Sequence, residues 1–167
     1  FPFTVREIVM MGRYHHLGGL HFEGGNDYLI VEEAMARTDT LPFAGRLINH
    51  LSGGERQRVL IARALAQQSD IMLLDEATAF LDIKHQLALF ELIKKLNKEN
   101  DLTVLVVTHD INLASQYTDR VILLREGKIH SLGRPAEVIT KNNIGEVYEA
   151  DVLVDQNPRT GAPRVTI

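Results

Sequence analysis

Residues 51 to 82 leave this chain few folds to choose from. They begin Leu51-Ser52-Gly53-Gly54-Glu55-Arg56-Gln57-Arg58-Val59, continue through Ile71-Met72-Leu73-Leu74-Asp75-Glu76, and close on Phe80-Leu81-Asp82. Ser52 and Glu55 have the spacing of a capping box, which predicts a helix start, and the helix runs from about Gly53 to Gln67. Gly53 and Gly54 let a bulky anion approach backbone N–H groups without interference from a Cβ. A helix N-terminus adds unpaired donors and partial positive charge, which suits a phosphate. Ile71 to Leu74 is too short for a helix and reads as a strand buried on both faces. It ends in Asp75 and Glu76, at the strand end where open α/β sheets bind ligands. One carboxylate there can serve a metal while the other orients or deprotonates a water. Alone, each feature has a plainer reading: an ordinary cap for Ser52-Gly53-Gly54, a surface or capping pair for Asp75-Glu76.

The remaining pattern is an alternation of helices and strands, which predicts a parallel α/β sheet. Thr4 and Glu7 form a second capping box and predict a helix over 4–11. Asn26 or Asp27 is the expected cap of a helix to about Arg37, with Leu29, Ile30, Ala34 and Met35 on its buried side. Residues 41–50 read as a connector. Asp82 is the expected N-cap of a helix over 83–98, followed by a buried strand over 102–107 with His109 at its end. A short helix at 112–117, a hairpin of 120–124 with 128–132, helical segments at 135–140 and 144–150, and a terminal hairpin complete the reading. His15, His16, His21 and Glu23 invite a metal reading, but they share a glycine-rich stretch without helical ligand spacing and read as a solvated loop.

Composition narrows the class. The chain has 167 residues, enough for a real core, and is 45% hydrophobic and 24% charged. A net charge of −4 gives no footprint for nucleic acid. With no cysteine, disulfides and thiolate metal sites are excluded, which fits a reducing compartment. No apolar run approaches the length of a membrane span, and the opening residues do not read as a signal peptide. A chain that opens Phe-Pro-Phe in place of Met reads as a piece of a longer protein.

Leu51 to Val59 resembles the signature motif of ATP-binding cassette (ABC) ATPases. Ile71 to Glu76 resembles their Walker B strand with its catalytic glutamate, Ala79 to Asp82 their D-loop, and Thr108-His109-Asp110 their switch-histidine loop. One such match is weak; four in the family's order and spacing are specific. The fold implied is a partial P-loop NTPase, a RecA-like parallel sheet with an α-helical subdomain. Its expected parts are a helical subdomain with the signature over 1–60, the latter part of the ATPase core over 61–133, and terminal helices with a small hairpin over 134–167. By resemblance Asp75 holds Mg²⁺, Glu76 polarises the attacking water and His109 contacts the γ-phosphate. Ser52 and Gly54, with Gly53 and Glu55 in the same nucleotide-binding set, take the γ-phosphate of ATP held by the opposite subunit of a head-to-tail homodimer. Asp82 couples the two sites.

Val5 to Tyr14 and the tail from Val152, with its Pro158-Arg159-Thr160-Gly161 turn, resemble ATPases of bacterial importers for iron-siderophore, haem and cobalamin substrates. That implies permease subunits as partners, a periplasmic or surface substrate-binding protein indirectly, no nucleic acid, and a peripheral place on the cytoplasmic face of the membrane. Two other readings stay open: a soluble non-transport ABC ATPase, and a non-catalytic interaction module. The sequence departs from the family in four ways. No G-x-x-x-x-G-K-[S/T] loop occurs in these residues, and the Q-loop glutamine and adenine-stacking aromatic are also missing. Glu55 stands where many members have Gln, Ala77 where proline is usual, and Ala79-Phe80 where two smaller residues are usual. Without the phosphate loop the chain alone is expected not to hydrolyse ATP. The strand belonging to that loop lies in the family beside the strand at 102–107, so open strand edges and a bare apolar face are expected, with self-association as the consequence.

Overall fold

The computed structural model describes residues 3–15, 24–79, 81–100 and 102–167, which fall into two compact units, Phe1–Val107 and Thr108–Ile167. The histidine-rich stretch proposed as a solvated loop, His15 apart, lies outside the described residues, as does Phe80 of the D-loop.

The first unit begins with three helices, α1 (Val5–Met10), α2 (Gly25–Arg37) and α3 (Gly53–Ala66). Both expected capping boxes form: the Thr4 hydroxyl accepts from Glu7 N–H and the Ser52 hydroxyl from Glu55 N–H, each glutamate reaching back to the cap's own amide. The three helices bury Val5, Val9, Val31, Met35, Val59 and Ala62 among themselves. Gly12 lies so close to the Arg63 carbonyl that a Cβ would collide with it, which fixes the approach of α1's end to α3. Arg13 is buried beside it. Its Nε donates to Asp27 Oδ1 at 2.9 Å, and its Nη1 to the Ala66 carbonyl at 2.7 Å and Gln68 Oε1 at 3.0 Å. One guanidinium thus ties the start of α2 to the end of α3.

Helix α2 starts earlier than its expected cap. Gly24 is the N-cap, and Asp27 sits inside the first turn, its Oδ2 accepting from Gly24 N–H at 3.0 Å. The buried side is Val31, Ala34 and Met35, with Ile30 half-buried; Leu29 points outward. Asp27 serves as the third residue of that first turn, its two carboxylate oxygens divided between Gly24 N–H and Arg13 Nε.

Strands β1 (Ile71–Asp75) and β2 (Thr103–Val107) pair in parallel, Ile71 opposite Thr103 and Asp75 opposite Val107, with α4 (Ile83–Asn100) as the crossover. Met72 and Leu74 face α3 and α4, packing on Ile61, Leu89, Leu92, Ile93 and Leu96. The expectation of strands buried on both faces fails. Ile71, Leu73, Leu105 and Val107 are exposed, because only one face of the pair is covered. Among the described residues each strand has one neighbour, so both outer edges are open, as the missing-strand argument requires. The bare side of β1 borders a groove of about 740 Å³ reaching to α2 and α3. Helix α3 therefore serves two cores, with Val59 and Ala62 in the helical one and Ile61 in the sheet one.

The second unit opens with the loop Thr108–Asp110 and α5 (Ile111–Tyr117), whose cap Asp110 accepts from Leu113 N–H. The hairpin β3 (Val121–Arg125) and β4 (Lys128–Gly133) turns through Glu126 and Gly127, both at positive φ. Two short helices follow, α6 (Pro135–Val138) and α7 (Lys141–Tyr148), the latter capped by Thr140 and beginning at Lys141, three residues before the expected start. Leu123, Val138, Ile139, Ile144 and Val152 form its core. The terminal hairpin, β5 (Leu153–Gln156) and β6 (Pro163–Thr166), is pinned to α5. The Asn112 amide exchanges two hydrogen bonds with the Val165 backbone, and the Ser115 hydroxyl donates to the Pro163 carbonyl.

Candidate nucleotide site

The first unit places two chemical features of the expected site. At the start of α3, Ser52 is an exposed N-cap whose hydroxyl and amide are both engaged by Glu55 Oε2, each at 2.8 Å. These bonds, the backbone one foremost, hold the Glu55 carboxyl below its ordinary value, so it stays ionised. The first-turn amides of Gly53 and Gly54 have no intrahelical acceptor, by the geometry of a helix start. The sequence supplies the donors and the dipole that a phosphate oxygen requires.

At the C-terminal end of β1, Asp75 and Glu76 are both exposed. Glu76 has φ +44°, a left-handed conformation that costs a non-glycine residue about 1 kcal/mol or more. The conformation is held from both sides. Glu76 N–H donates to the Val107 carbonyl at 3.0 Å, and the Glu76 carbonyl accepts from Ala79 N–H at 2.9 Å. The chain thus breaks sharply at the strand end, and a β1 carboxylate and its neighbour no longer alternate as they would in a continuing strand. Nothing in the residue pattern announces this strain. Buried Ala77 follows directly in the position where proline is usual in the resembled family.

Asp82 caps α4 as expected, accepting His85 N–H at 2.9 Å and the His85 ring Nδ1 at 2.7 Å on one oxygen. The His85 bonds, the backbone one first, hold the Asp82 carboxyl below its ordinary value. The ring of His85 also lies against Gly54, so the structure brings Asp82 and the Ser52-Gly53-Gly54-Glu55 segment to one place. Sequence reading missed His85. The available signal was the Asp-x-x-His spacing, which repeats the cap-to-third-position geometry of Ser52 and Glu55.

His109 belongs to the second unit, exposed and one residue before the Asp110 cap; Asp110 N–H donates to the Thr108 hydroxyl at 3.1 Å. Among the described residues no group of three or more His, Asp or Glu could by itself hold a metal ion. Asp75 and Glu76 at the β1 end are donors of the type Mg²⁺ takes in a nucleotide complex, where one or two carboxylates suffice and phosphate oxygens and water complete the shell. Asp75 would hold the ion, and the α3 start would hold phosphate. Among the described residues no helix is long and apolar enough to cross a membrane.

The "ABC transporter" family profile matches residues 4–79. The chain is 44% identical to the cobalamin import ATP-binding protein BtuD of Halobacterium salinarum over 99% of its own length and 41% of the relative's. It is 48% identical to the hemin import ATP-binding protein HmuV of Streptomyces coelicolor, over 97% of this chain and 57% of that one. Against the ferric enterobactin transport ATP-binding protein FepC of Escherichia coli the identity is 42%, covering 97% and 60%. The chain therefore spans about half the length of the curated relatives it matches. Among solved structures, an inward-facing metal-chelate type ABC transporter superposes with a TM-score of 0.91 at 27% identity, covering 99% of this chain and 67% of that one. The dimeric ABC transporter cassette MJ0796 superposes at 0.66 with 36% identity, covering 80% and 58%. With the profile, the relatives and the fold in agreement, the chain matches part of an ABC transporter ATP-binding domain and is similar to those of cobalamin, hemin and siderophore importers.

Proposed function

We propose that the natural protein is the ATP-binding subunit of an ABC importer and couples ATP hydrolysis to uptake of a metal chelate such as a ferric siderophore, haem or cobalamin. The observation that carries the reading is the pairing of a Ser-Gly-Gly helix start with a carboxylate, Glu76, set in a strained left-handed turn at the end of a sheet strand. Strain of this kind persists where the surroundings enforce it, and it clusters at reactive sites.

Phosphoryl transfer asks a protein mainly to position groups and neutralise charge. Ser52 and the Gly53 and Gly54 amides hold the γ-phosphate of ATP carried by a second subunit, and Glu55 keeps that helix start formed. Asp75 would hold Mg²⁺, which would supply charge neutralisation at the phosphates. Glu76 orients the attacking water and takes its proton. His109 contacts the γ-phosphate, and Asp82 links the two sites of a head-to-tail dimer. The domain division at 1–60, 61–133 and 134–167 assigns signature, catalytic core and terminal region. The partners are permease subunits, with a substrate-binding protein acting through them, and the subunit sits on the cytoplasmic face of the membrane. These 167 residues alone do not turn over ATP, since they contain no G-x-x-x-x-G-K-[S/T] cradle.

The test is to purify the natural-length protein with its permease and measure ATP-driven uptake of ferric siderophore, haem and cobalamin in vesicles. Uptake of one of them supports the reading. Co-purification with nucleic acid in place of a permease would favour a soluble, non-transport ATPase, and failure to bind Mg-ATP would favour a non-catalytic interaction module.

A further inference from the structure

The first turn of α4 touches the signature start and the D-loop carboxylate at once, through His85. Gly54 is buried, and a Cβ added there would lie 2.7 Å from His85 Cδ2, 3.2 Å from Cγ and 3.4 Å from Cβ. The obstacle is the ring, Cδ2 foremost, while Cβ stands at ordinary contact distance, so a side chain at 54 would have to displace the ring from this place. The ring is fixed in turn. Asp82 Oδ1 takes the backbone N–H of His85 at 2.9 Å and ring Nδ1 at 2.7 Å. An ionised carboxylate only accepts, so Nδ1 carries the proton and donates. Beside it, Gln86 Nε2 donates to the Thr78 carbonyl at 3.3 Å, in the turn that begins at Glu76.

We propose that His85 is a positioning residue for ATP hydrolysis: its ring, packed on Gly54 and hydrogen-bonded to Asp82, sets the spacing between the phosphate-binding start of α3 and the D-loop. This rests on the function proposed above. His85 makes no contact with nucleotide in this scheme. It acts by making the Gly54 amide and the Asp82 carboxylate move as one body, so that closure of the dimer on ATP brings both into place together. A displacement on the order of 1 Å at a reacting centre costs about a hundredfold in rate, so loss of such a spacer reads out in turnover.

The experiment compares the natural-length wild type with His85→Ala, His85→Asn, Gly54→Ala, Gly54→Ala/His85→Ala and Glu76→Gln, each by steady-state ATP turnover and thermal unfolding. His85→Ala is expected to lower kcat about tenfold with KM for ATP changed less than about twofold. His85→Asn keeps a donor near the Nδ1 position and is expected to hold kcat within about threefold of wild type. Gly54→Ala is expected to lower Tm, and adding His85→Ala to raise it again, because the clash partner is gone. Wild-type kcat in His85→Ala, or a His85→Asn variant as impaired as His85→Ala, overturns the inference. Turnover abolished by Glu76→Gln but untouched by His85→Ala removes this inference alone. Turnover indifferent to Glu76→Gln removes the proposed function and this inference with it.

Discussion

Replacing Arg13 by Ala should unfold the helical part of the first unit at markedly lower denaturant. Arg13 is 4% exposed and its partner Asp27 has a side chain 14% exposed. The substitution leaves the Asp27 carboxylate without its guanidinium and strips the Ala66 carbonyl, at the end of α3, of its 2.7 Å donor. Removing one member of a buried ion pair costs about 3–5 kcal/mol, and partial access of water to Asp27 places this case near the lower end, at about 3 kcal/mol. With a urea m-value of about 2 kcal/mol per molar, the midpoint falls by about 1.5 M. Arg13→Lys keeps the charge but cannot serve Asp27, Ala66 and Gln68 together, and should lose about half as much. The double variant Arg13→Ala/Asp27→Asn should recover part of the loss, because no buried carboxylate is then left unpaired. Urea unfolding followed by far-UV circular dichroism reads all three. An Arg13→Ala unfolding free energy within about 0.5 kcal/mol of wild type would sink the claim that one guanidinium joins α2 to α3.

The Ser52 cap gives a pH-dependent prediction. Ser52→Ala should cost about 1 kcal/mol at pH 7. Glu55 has a depressed folded pKa, so its contribution is present above its unfolded value and fades as pH falls through the folded one. The Ser52→Ala penalty should therefore shrink between pH 7 and pH 3 in urea melts, and an unchanged penalty would contradict the capping box as its source. On the bare sheet face, Leu73 is 71% exposed, so Leu73→Lys should leave stability within about 0.5 kcal/mol of wild type while reducing self-association of the 167-residue chain. Light scattering on the eluted peak decides this, and a monodisperse wild-type monomer would refute it.

Much of the fold is local, and that part was legible. Thr4 with Glu7 and Ser52 with Glu55 form their capping boxes because each needs only three residues of sequence. The apolar runs at 71–74 and 102–107 became paired parallel strands because a helical crossover of suitable length joins them. What the pattern concealed depends on distant partners. Helix α2 starts at Gly24 with Asp27 inside its first turn, and the same carboxylate answers to Arg13, fourteen residues away, which in turn answers to Ala66. Hydrophobic pattern stated that Ile71, Leu73, Leu105 and Val107 avoid water but could not state what covers them, and in this chain their face is bare. At the candidate site the motif residues were readable, since Ser52, Asp75, Glu76 and Asp82 stand at motif spacing. The left-handed turn at Glu76 was not, because it is imposed by the Val107 carbonyl from β2. His85 escaped notice for the same reason, its meaning arising only where α4 meets α3.

Glu76, at the end of β1, is proposed to activate water for attack on ATP. The most direct measurement is Mg-dependent ATP turnover by the natural-length protein, wild type against Glu76→Gln, with ATP binding and dimer formation followed on the same samples. Glu76→Gln is expected to bind Mg-ATP and dimerise like wild type while its turnover falls at least about a hundredfold. Equal turnover in the two proteins would contradict it.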